Sequence, residues 1–312
     1  MRLTTPRSQY LAKDLRRQTV RKAKDILDIP CGGSTRRLKT ARAVVGKTLA
    51  AAATVLALAG IASPSEAAEL TARDVVSALF KAAPGSKPNF AGSALERLDL
   101  AGLDFKEANL AEAKLFGADL SGSNLSKANL AGANLDRATL TRTNFDGADM
   151  TGATILRPTI YATLDASRAD VPSFVGTKMT GAHLGGRFDL TSFRNAELTG
   201  ARFGPKDHRN EVLITGRAEI VSCDFSDAIM RKANLSRTWA QYAKFSRANL
   251  QGANLAYANL KGADFTGAEL AGADFTGSVL DGAIFANAKG LDRVRGLQEG
   301  LHRGEGTAPV NR

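Results

Sequence analysis

The chain has 312 residues, with 42 Lys and Arg residues against 31 Asp and Glu residues and a formal net charge of +11. Residues 1–67 contain 13 of the basic and 4 of the acidic residues, whereas the remaining residues contain 29 and 27. The composition therefore excludes a strongly basic or strongly acidic body after the N-terminal segment. Two cysteines, Cys31 and Cys223, are too few for a disulfide framework.

Residues 1–67 are predicted to form a basic leader that contains a signal peptide. Residues 48–61 are uncharged and largely apolar; Lys47 precedes them, and the small residues Ser65 and Ala67 follow. This is the layout of a signal peptide, and the apolar stretch is too short for a comfortable span of the bilayer. We therefore expect a periplasmic or secreted protein whose membrane contact is limited to its leader.

The basic segment before the apolar stretch is longer than in ordinary signal peptides, which leaves alternatives open. A translation start further downstream would shorten it. Arg36 and Arg37 suggest a twin-arginine signal, but Lys39 and Thr40 stand where that motif prefers apolar residues. A basic disordered arm on a cytoplasmic protein is the other interpretation. Such an arm would attract nucleic acid electrostatically, but no aromatic or folded motif supports that, so nucleic acid is not the expected partner.

Residues 68–88 are predicted to contain a short amphipathic helix that covers the N-terminal end of the repeats that follow. Thr71 and Asp74 form a capping-box pattern, and the Pro84-Gly85 pair stops the helix, which places it over 71–83. Apolar residues recur at the spacing of one helical face, at Ala72, Val75, Val76, Leu79, Phe80 and Ala83. A helix that binds a partner is the alternative.

A large apolar residue recurs at every fifth position in two long runs. The first run extends from Phe90 to Ile155 without exception, and the second extends from Ile220 to Phe285 with one exception, Ala240. Most of these residues are preceded, two positions earlier, by Ala or another small residue. A period of five fits neither an α-helix nor a flat strand, and so short a strict period indicates a solenoid.

The repeated unit resembles that of the pentapeptide-repeat family, in which a small residue, Asn or Asp, and Leu or Phe are followed by two polar or small residues. Residues 126–135 and 251–260 fit this pattern closely. The resemblance implies an all-β fold, a right-handed four-sided parallel β-helix solenoid with one pentapeptide on each side and four in each coil. We expect this solenoid to span residues 89–290.

This geometry predicts a role for each position of the repeat. Leu or Phe and the preceding small residue should both point inward, while Asn or Asp points outward and bonds nearby backbone at the corner. Gly, frequent two residues after the large residue, suits the corners. Because adjacent coils stack about 4.8 Å apart, residues twenty positions apart should lie in one column.

The strict phase is lost between the two runs. Phe188 follows Leu184 by four residues, one residue early, and two stretches, 161–170 and 204–217, do not fit the repeat. We expect both stretches to be loops or bulged corners, which are common places for recognition, although decay of the repeat without a role would look the same. Residues 291–312 are predicted to form a C-terminal cap and a disordered tail.

The sequence indicates no catalytic residue, cofactor site or metal site. His183, His208 and His302 show no metal-ligand spacing, and phosphate-binding and nucleophile motifs are absent. Cys223 occupies a small inward position, where a thiol substitutes for Ala as a compact apolar group. We therefore expect a protein that is not an enzyme and that takes neither a cofactor nor a small-molecule substrate.

One segment has an unusual surface composition. From Ala228 to Gly262 there is no acidic residue, and this segment also holds the single Trp of the chain. Exposed aromatic residues beside arginines are typical of binding anchors. The candidate partner surface consists of Arg231, Lys232, Arg237, Trp239, Tyr242, Lys244, Arg247 and Tyr257.

Specific contacts are expected in and around this surface. Arg237 should lie one coil from Tyr257, within reach of a cation–π contact. Trp239 either points outward or turns inward to fill the space that Ala240 leaves. A column of alternating charge, of little consequence for stability if exposed, is expected from Asp224, Lys244 and Asp264.

The leading functional hypothesis is a non-enzymatic scaffold, exported, that offers a long β surface to a protein or cell-envelope partner. Members of the resembled family that act on type II topoisomerases are similar to duplex DNA in shape and acidic charge, which a nearly neutral body with a basic segment fits poorly. That role is kept as an alternative. Binding of a polyanion through the basic and aromatic residues between 231 and 261 is a third hypothesis.

Overall fold

The computed structural model describes residues 70–83, 85–105, 107–160, 167–204 and 217–297. The predicted leader with its apolar core at 48–61 and the tail after Leu297 lie outside these residues. So do most of the two predicted loops. Within the described residues, no helix has the length and apolar character needed to cross a membrane.

A single α-helix, α1, spans Ala72–Lys81 and precedes the repeats. The predicted capping box is present, since the Asp74 amide donates to the Thr71 hydroxyl and the Thr71 amide donates to the Asp74 carboxylate at 2.9 Å. These hydrogen bonds hold the pKa of Asp74 below its ordinary value. Val75 and Leu79 are buried in the same core cluster as the first repeats.

The predicted apolar face of α1 is wrong at two residues, Phe80 and Ala83, which are both exposed. Phe80 is 75% exposed, whereas Leu79 beside it is 5% exposed. Successive residues of a helix point about 100° apart, and Val75 and Leu79, which are four apart, define the buried stripe. The helix also ends two residues before the predicted boundary, at Lys81.

The repeats pair through parallel bridges between residues twenty positions apart, as predicted. Each coil, meaning one run of about twenty residues, contributes to four ladders of such bridges. We name the ladders by their first members: the Asn89, Ala94, Asp99 and Asp104 ladders, whose first bridges reach Asn109, Lys114, Asp119 and Asn124. The column arrangement expected from the sequence is therefore confirmed in both long runs.

Four short strands occur where the coils change length. They are β1 (Thr154–Leu156), β2 (His183–Arg187), β3 (Arg202–Phe203) and β4 (Ala218–Glu219), paired in parallel in the order β1-β2-β3, with β4 on the end of β2. Along the Ala94 ladder the register runs Thr154, His183, Arg202, Asn234. Successive members of the ladder are 29, 19 and 32 residues apart here instead of twenty, yet the ladder is unbroken.

The corners of the coils have left-handed backbone. Glycines two residues after the inward Leu or Phe have positive φ, for example Gly132 at 68°. Larger residues share this conformation, such as Lys127 at 57° and Arg137 at 59°, although αL backbone costs them about 1–2 kcal/mol. Outward Asn or Asp residues bond the corner as expected, since the Asn129 side-chain oxygen accepts from the Ala131 amide at 3.1 Å.

The inward residues form one continuous core. The fifth-position Leu and Phe residues are buried through both runs, and the small residues before them are buried from Ala108 onward. Within this core the phenylalanines of one column stack, with ring centroids 4.9–5.2 Å apart and ring planes within 7° of parallel. We call this column the phenylalanine stack; it consists of Phe145, Phe174, Phe193, Phe225, Phe245, Phe265 and Phe285.

The chain packs tightly against the last coil at its C-terminal end. A 3₁₀-helix spans Leu291–Arg293, and Leu297 is buried in the core cluster. Gly290 has φ of 73°, and a β-carbon there would lie 2.7 Å from the Ala271 amide nitrogen. Only glycine allows the backbone to approach this closely.

Truncation of the phenylalanine stack should destabilise the protein strongly. We expect Phe225→Ala to lower the free energy of unfolding by about 3–5 kcal/mol, because Phe225 is fully buried between two rings. The matched control is Phe80→Ala, since Phe80 is 75% exposed, and its effect should stay within about 0.5 kcal/mol. Urea unfolding followed by circular dichroism measures both, and equal effects would contradict the described core.

Candidate functional site

The structure distributes the candidate partner surface around a coil instead of bringing it to one face. Each ladder receives two of the eight residues. Arg231 and Lys232 follow Ile229 of the Asn89 ladder. Arg237 and Tyr257 occupy corners of the Ala94 ladder, Trp239 and Tyr242 belong to the Asp99 ladder, and Lys244 and Arg247 belong to the Asp104 ladder. A flat partner contacts only one or two of these pairs, so the segment is not a single patch.

Trp239 points outward. Its side chain is 41% exposed, and Ala240 beside it is fully buried. The backbone holds this register, since the Trp239 amide donates to the Ala218 carbonyl at 3.0 Å and the Trp239 carbonyl accepts from the Ile220 amide at 2.7 Å. The interpretation in which Trp239 turns inward is therefore wrong.

Tyr242 and Tyr257 lie over glycines of the next coil. Both tyrosines have φ of 59°, and each ring is more than half exposed. A β-carbon at Gly262 would lie 2.6 Å from the Tyr242 ring, and one at Gly277 would lie 2.6 Å from the Tyr257 ring. Sequence reasoning missed this pairing, although a signal exists, because each Tyr precedes its Gly by twenty positions.

Two arginines stack on aromatic rings along the Ala94 ladder. The predicted contact is confirmed, with the Arg237 guanidinium carbon 5.7 Å from the centre of the Tyr257 ring. A second contact was not predicted: the Arg137 guanidinium carbon lies 5.7 Å from the centre of the Phe116 ring. Such stacking orders the guanidinium plane and leaves N–H groups at its edge for other acceptors.

The basic residues of the Asp104 ladder face carboxylates. Arg247 binds Asp227 through two hydrogen bonds of 2.7 Å, which lowers the pKa of Asp227 and raises the pKa of Arg247. The predicted alternating column is confirmed, since Lys244 is bridged to both Asp224 and Asp264. This part of the candidate surface is therefore neutralised within the protein.

Asp264 shows how its surroundings set its ionisation. Burial favours a higher pKa, but hydrogen bonds from Ser246 and Thr266, together with the charge of Lys244, outweigh burial and lower the pKa. The Ser246 hydroxyl donates to Asp264 at 2.6 Å and the Thr266 amide donates at 2.8 Å. Asp264 is thus held as a carboxylate that organises the corner.

His183 has a structural partner and is not part of a metal-ligand group. Its Nε2 lies 2.7 Å from the carbonyl oxygen of Gly204, inside the protein. His208 and His302 fall outside the described residues. In the part of the chain that the structure describes, no group of three or more His, Cys, Asp and Glu side chains is arranged to hold a metal ion.

Comparison of the sequence with models of protein families finds the same repeats that pair in the structure. The model for pentapeptide repeats matches the chain in eight copies, over residues 89–122, 118–155, 243–282 and 258–289. Residues 89–155 and 243–289 of the chain are pentapeptide repeats. Proteins of this family fold as right-handed β-helices, and they are generally non-enzymatic structural or interaction proteins. No curated protein sequence matches the chain.

Several solved pentapeptide-repeat structures are similar to this chain. HetL from Nostoc sp. strain PCC 7120, involved in heterocyst differentiation regulation, is 26% identical, with 67% of this chain and 94% of HetL covered and a TM-score of 0.25. Rfr23 from Cyanothece 51142 is 24% identical, covering 49% and 90% with a TM-score of 0.30. QnrB1, a plasmid-mediated fluoroquinolone resistance protein, is 18% identical, covering 64% and 95% with a TM-score of 0.30.

Cys223 of this pentapeptide-repeat protein is packed as a core residue. Its Sγ is fully buried and donates to the Phe188 carbonyl at 2.9 Å. Burial raises the pKa of this thiol well above its ordinary value, and the nearby Asp189 carboxylate raises it further. The thiolate that reacts with oxidants and electrophiles is therefore disfavoured.

We expect the Cys223 thiol to be inert to a soluble disulfide reagent while the repeats are folded. In a Cys31→Ser background, the native protein at pH 8 should release no chromophore, whereas the urea-unfolded protein should release one equivalent. A Lys178→Cys variant in the same background places a thiol at an exposed position and should react at once. Prompt reaction of native Cys223 would contradict its burial.

The pairing of Tyr242 with Gly262 gives a second prediction. Gly262→Ala should destabilise the protein more than Gly282→Ala, because the two glycines have φ of 65° and 67° at successive corners of one ladder, and only Gly262 lies under a ring. The extra loss should be about 1–3 kcal/mol, the usual range for overpacking. Adding Tyr242→Ala to Gly262→Ala should remove that extra loss in urea unfolding; if it persists, the ring is not its cause.

Proposed function

We propose that this pentapeptide-repeat protein is an exported, non-enzymatic scaffold that binds a protein or cell-envelope partner through the outer faces of its coils. The observation that carries the proposal is the closed core. In both long runs the inward positions are filled by buried side chains, so only the outer faces of the coils are available to a partner. A surface of this kind suits recognition and not the enclosure of a substrate.

We also infer the detailed geometry of the scaffold, a right-handed, four-sided parallel solenoid. Four ladders of parallel bridges cross each twenty-residue coil, and positive φ recurs every five residues, which supports four sides with a corner after each. The α1 helix and the segment from Leu291 to Leu297 pack on the two ends of the core. They would serve as caps that protect the terminal coils.

The DNA-mimic alternative has weaker support from the surface charge. A protein that substitutes for duplex DNA needs a face dominated by acidic residues. In the described residues, acidic and basic side chains occur together on every ladder, and Arg97, Arg137, Arg157 and Arg237 share the corner of one of them. A supercoiling assay with the purified protein addresses this alternative directly.

Export is tested by fractionating cells that produce the chain with a C-terminal tag. We expect a shortened product in the periplasm or the medium, because residues 48–61 have the layout of a signal peptide. Leu56→Arg should trap the full-length product in the cytoplasm by placing a charge in the apolar stretch. Leu11→Arg is the matched control outside that stretch and should be exported normally. An uncleaved, soluble cytoplasmic product from the unaltered chain would remove export from the proposal.

A further inference from the structure

The outward positions of the Ala94 ladder form the one clearly basic face among the described residues. These positions are the ladder residue and the second and third residues after it. The basic residues there are Arg97, Lys114, Arg137, Arg157, Arg202, Arg237 and Arg295, and the acidic ones are Glu96, Asp136 and Asp274. On each of the other three ladders, acidic residues at the equivalent positions equal or outnumber the basic ones. We call the basic set the arginine face.

The carboxylates on this face are largely engaged within the protein. Asp136 accepts a hydrogen bond from the Leu156 amide at 2.9 Å, and Asp274 binds the Arg295 guanidinium at 3.1 Å. Asp274 also accepts from the Thr276 amide at 2.9 Å. The seven cations outnumber the three carboxylates by four and are all exposed, so the face has a positive potential toward solvent.

Two arginines of the face are ordered before any partner arrives. Arg137 stacks over Phe116 and Arg237 stacks over Tyr257, each at 5.7 Å. A stacked guanidinium loses less side-chain entropy when its N–H edge binds an anion. Planar, bidentate donation of this kind matches carboxylate and phosphate oxygens.

The cations lie along one ladder, in seven of its ten coils, four at the corner position and three at the ladder position itself. Each ladder step advances about 4.8 Å, so the nine steps from the coil of Arg97 to the coil of Arg295 extend over about 43 Å. Arg137 and Arg157 lie in adjacent coils, as do Arg202 and Arg237. A linear polymer with regularly spaced negative charges is complementary to such a row, because it can pair with several arginines at once.

We propose that the arginine face binds an acidic polysaccharide that lies along the axis of the solenoid, with its carboxylate or phosphate groups on the arginines. The proposal rests on the exported scaffold proposed above and names its partner class. A single-stranded nucleic acid would need open aromatic rings on which bases stack. The two rings of this face, Phe116 and Tyr257, are stacked by arginines instead, which favours a polymer read by charge alone.

The test is binding to polygalacturonate, a linear polymer with one carboxylate per sugar, measured by interferometry. The protein is purified in the form in which it accumulates in cells. We expect binding that weakens as salt is raised and that disappears with a fully methyl-esterified polymer, which keeps the sugar backbone without its charges. Equal binding to the esterified polymer would overturn the proposal.

Two triple variants that remove the same number of charges test whether the polymer binds to the arginine face. A triple variant, Arg137→Gln with Arg157→Gln and Arg202→Gln, should weaken binding about tenfold or more by removing three consecutive cations of the face. The control triple changes one exposed cation on each of the other three ladders, Lys127→Gln, Arg142→Gln and Lys178→Gln, and should change binding by less than about threefold. Both triples alter net charge equally, so any contribution from a retained basic leader cancels between them.

The other possible results of these binding measurements also decide for or against the proposal. Equal losses in the two triples would mean that net charge, not the arginine face, holds the polymer, and would overturn the proposal. Tighter binding of single-stranded DNA through the same arginines would replace the polysaccharide by nucleic acid. Arg137→Lys separates charge from stacking, since it should lose part of the affinity while urea unfolding is unchanged. Failure of export leaves these binding results untouched, so the two proposals fail separately.

Discussion

The hydrogen bonding between coils is the constraint on which the rest of the structure depends. The Leu110 amide donates to the Asn129 carbonyl of the next coil at 2.6 Å, and the Asn129 amide donates back to the Ala108 carbonyl at 3.0 Å. Because these bonds run along the axis, they fix the distance between coils and the phase of every side chain. A residue that faces inward in one coil therefore has an inward neighbour directly above and below it.

Because of this constraint, an inward side chain packs against the residues of its own column in the coils above and below it. The phenylalanine stack exists because its rings keep one phase through the coil of 29 residues that leads to Phe174, the coil of 19 that leads to Phe193 and the coil of 32 that leads to Phe225. The ladders and the stack continue on both sides of each change in coil length, so length changes do not disturb the core. The same rule applies outside, where Tyr242 requires a glycine one coil later.

The sequence predicted the core, the columns and the capping box, because each depends on a short and regular spacing. It did not predict the exposure of Phe80, since the helical spacing of apolar residues admits a wider face than the one that α1 buries. Eight residues close in sequence were also read as one surface. The structure separates them because consecutive pentapeptides, such as those of Arg237 and Tyr242, contribute to different ladders.

The same separation explains why the arginine face was not visible in the sequence. Arg157 and Arg202 are 45 residues apart, with one insertion and one deletion in between, and only the bridges through His183 show that they share a face. Cations in adjacent coils, such as Arg137 and Arg157, are one coil step of about 4.8 Å apart along the ladder, which is less than the Debye length of about 8 Å at physiological ionic strength, so their potentials add. The residues after the leader are almost neutral in total but carry a basic face, so the surface charge of this protein is better judged ladder by ladder than from its net charge.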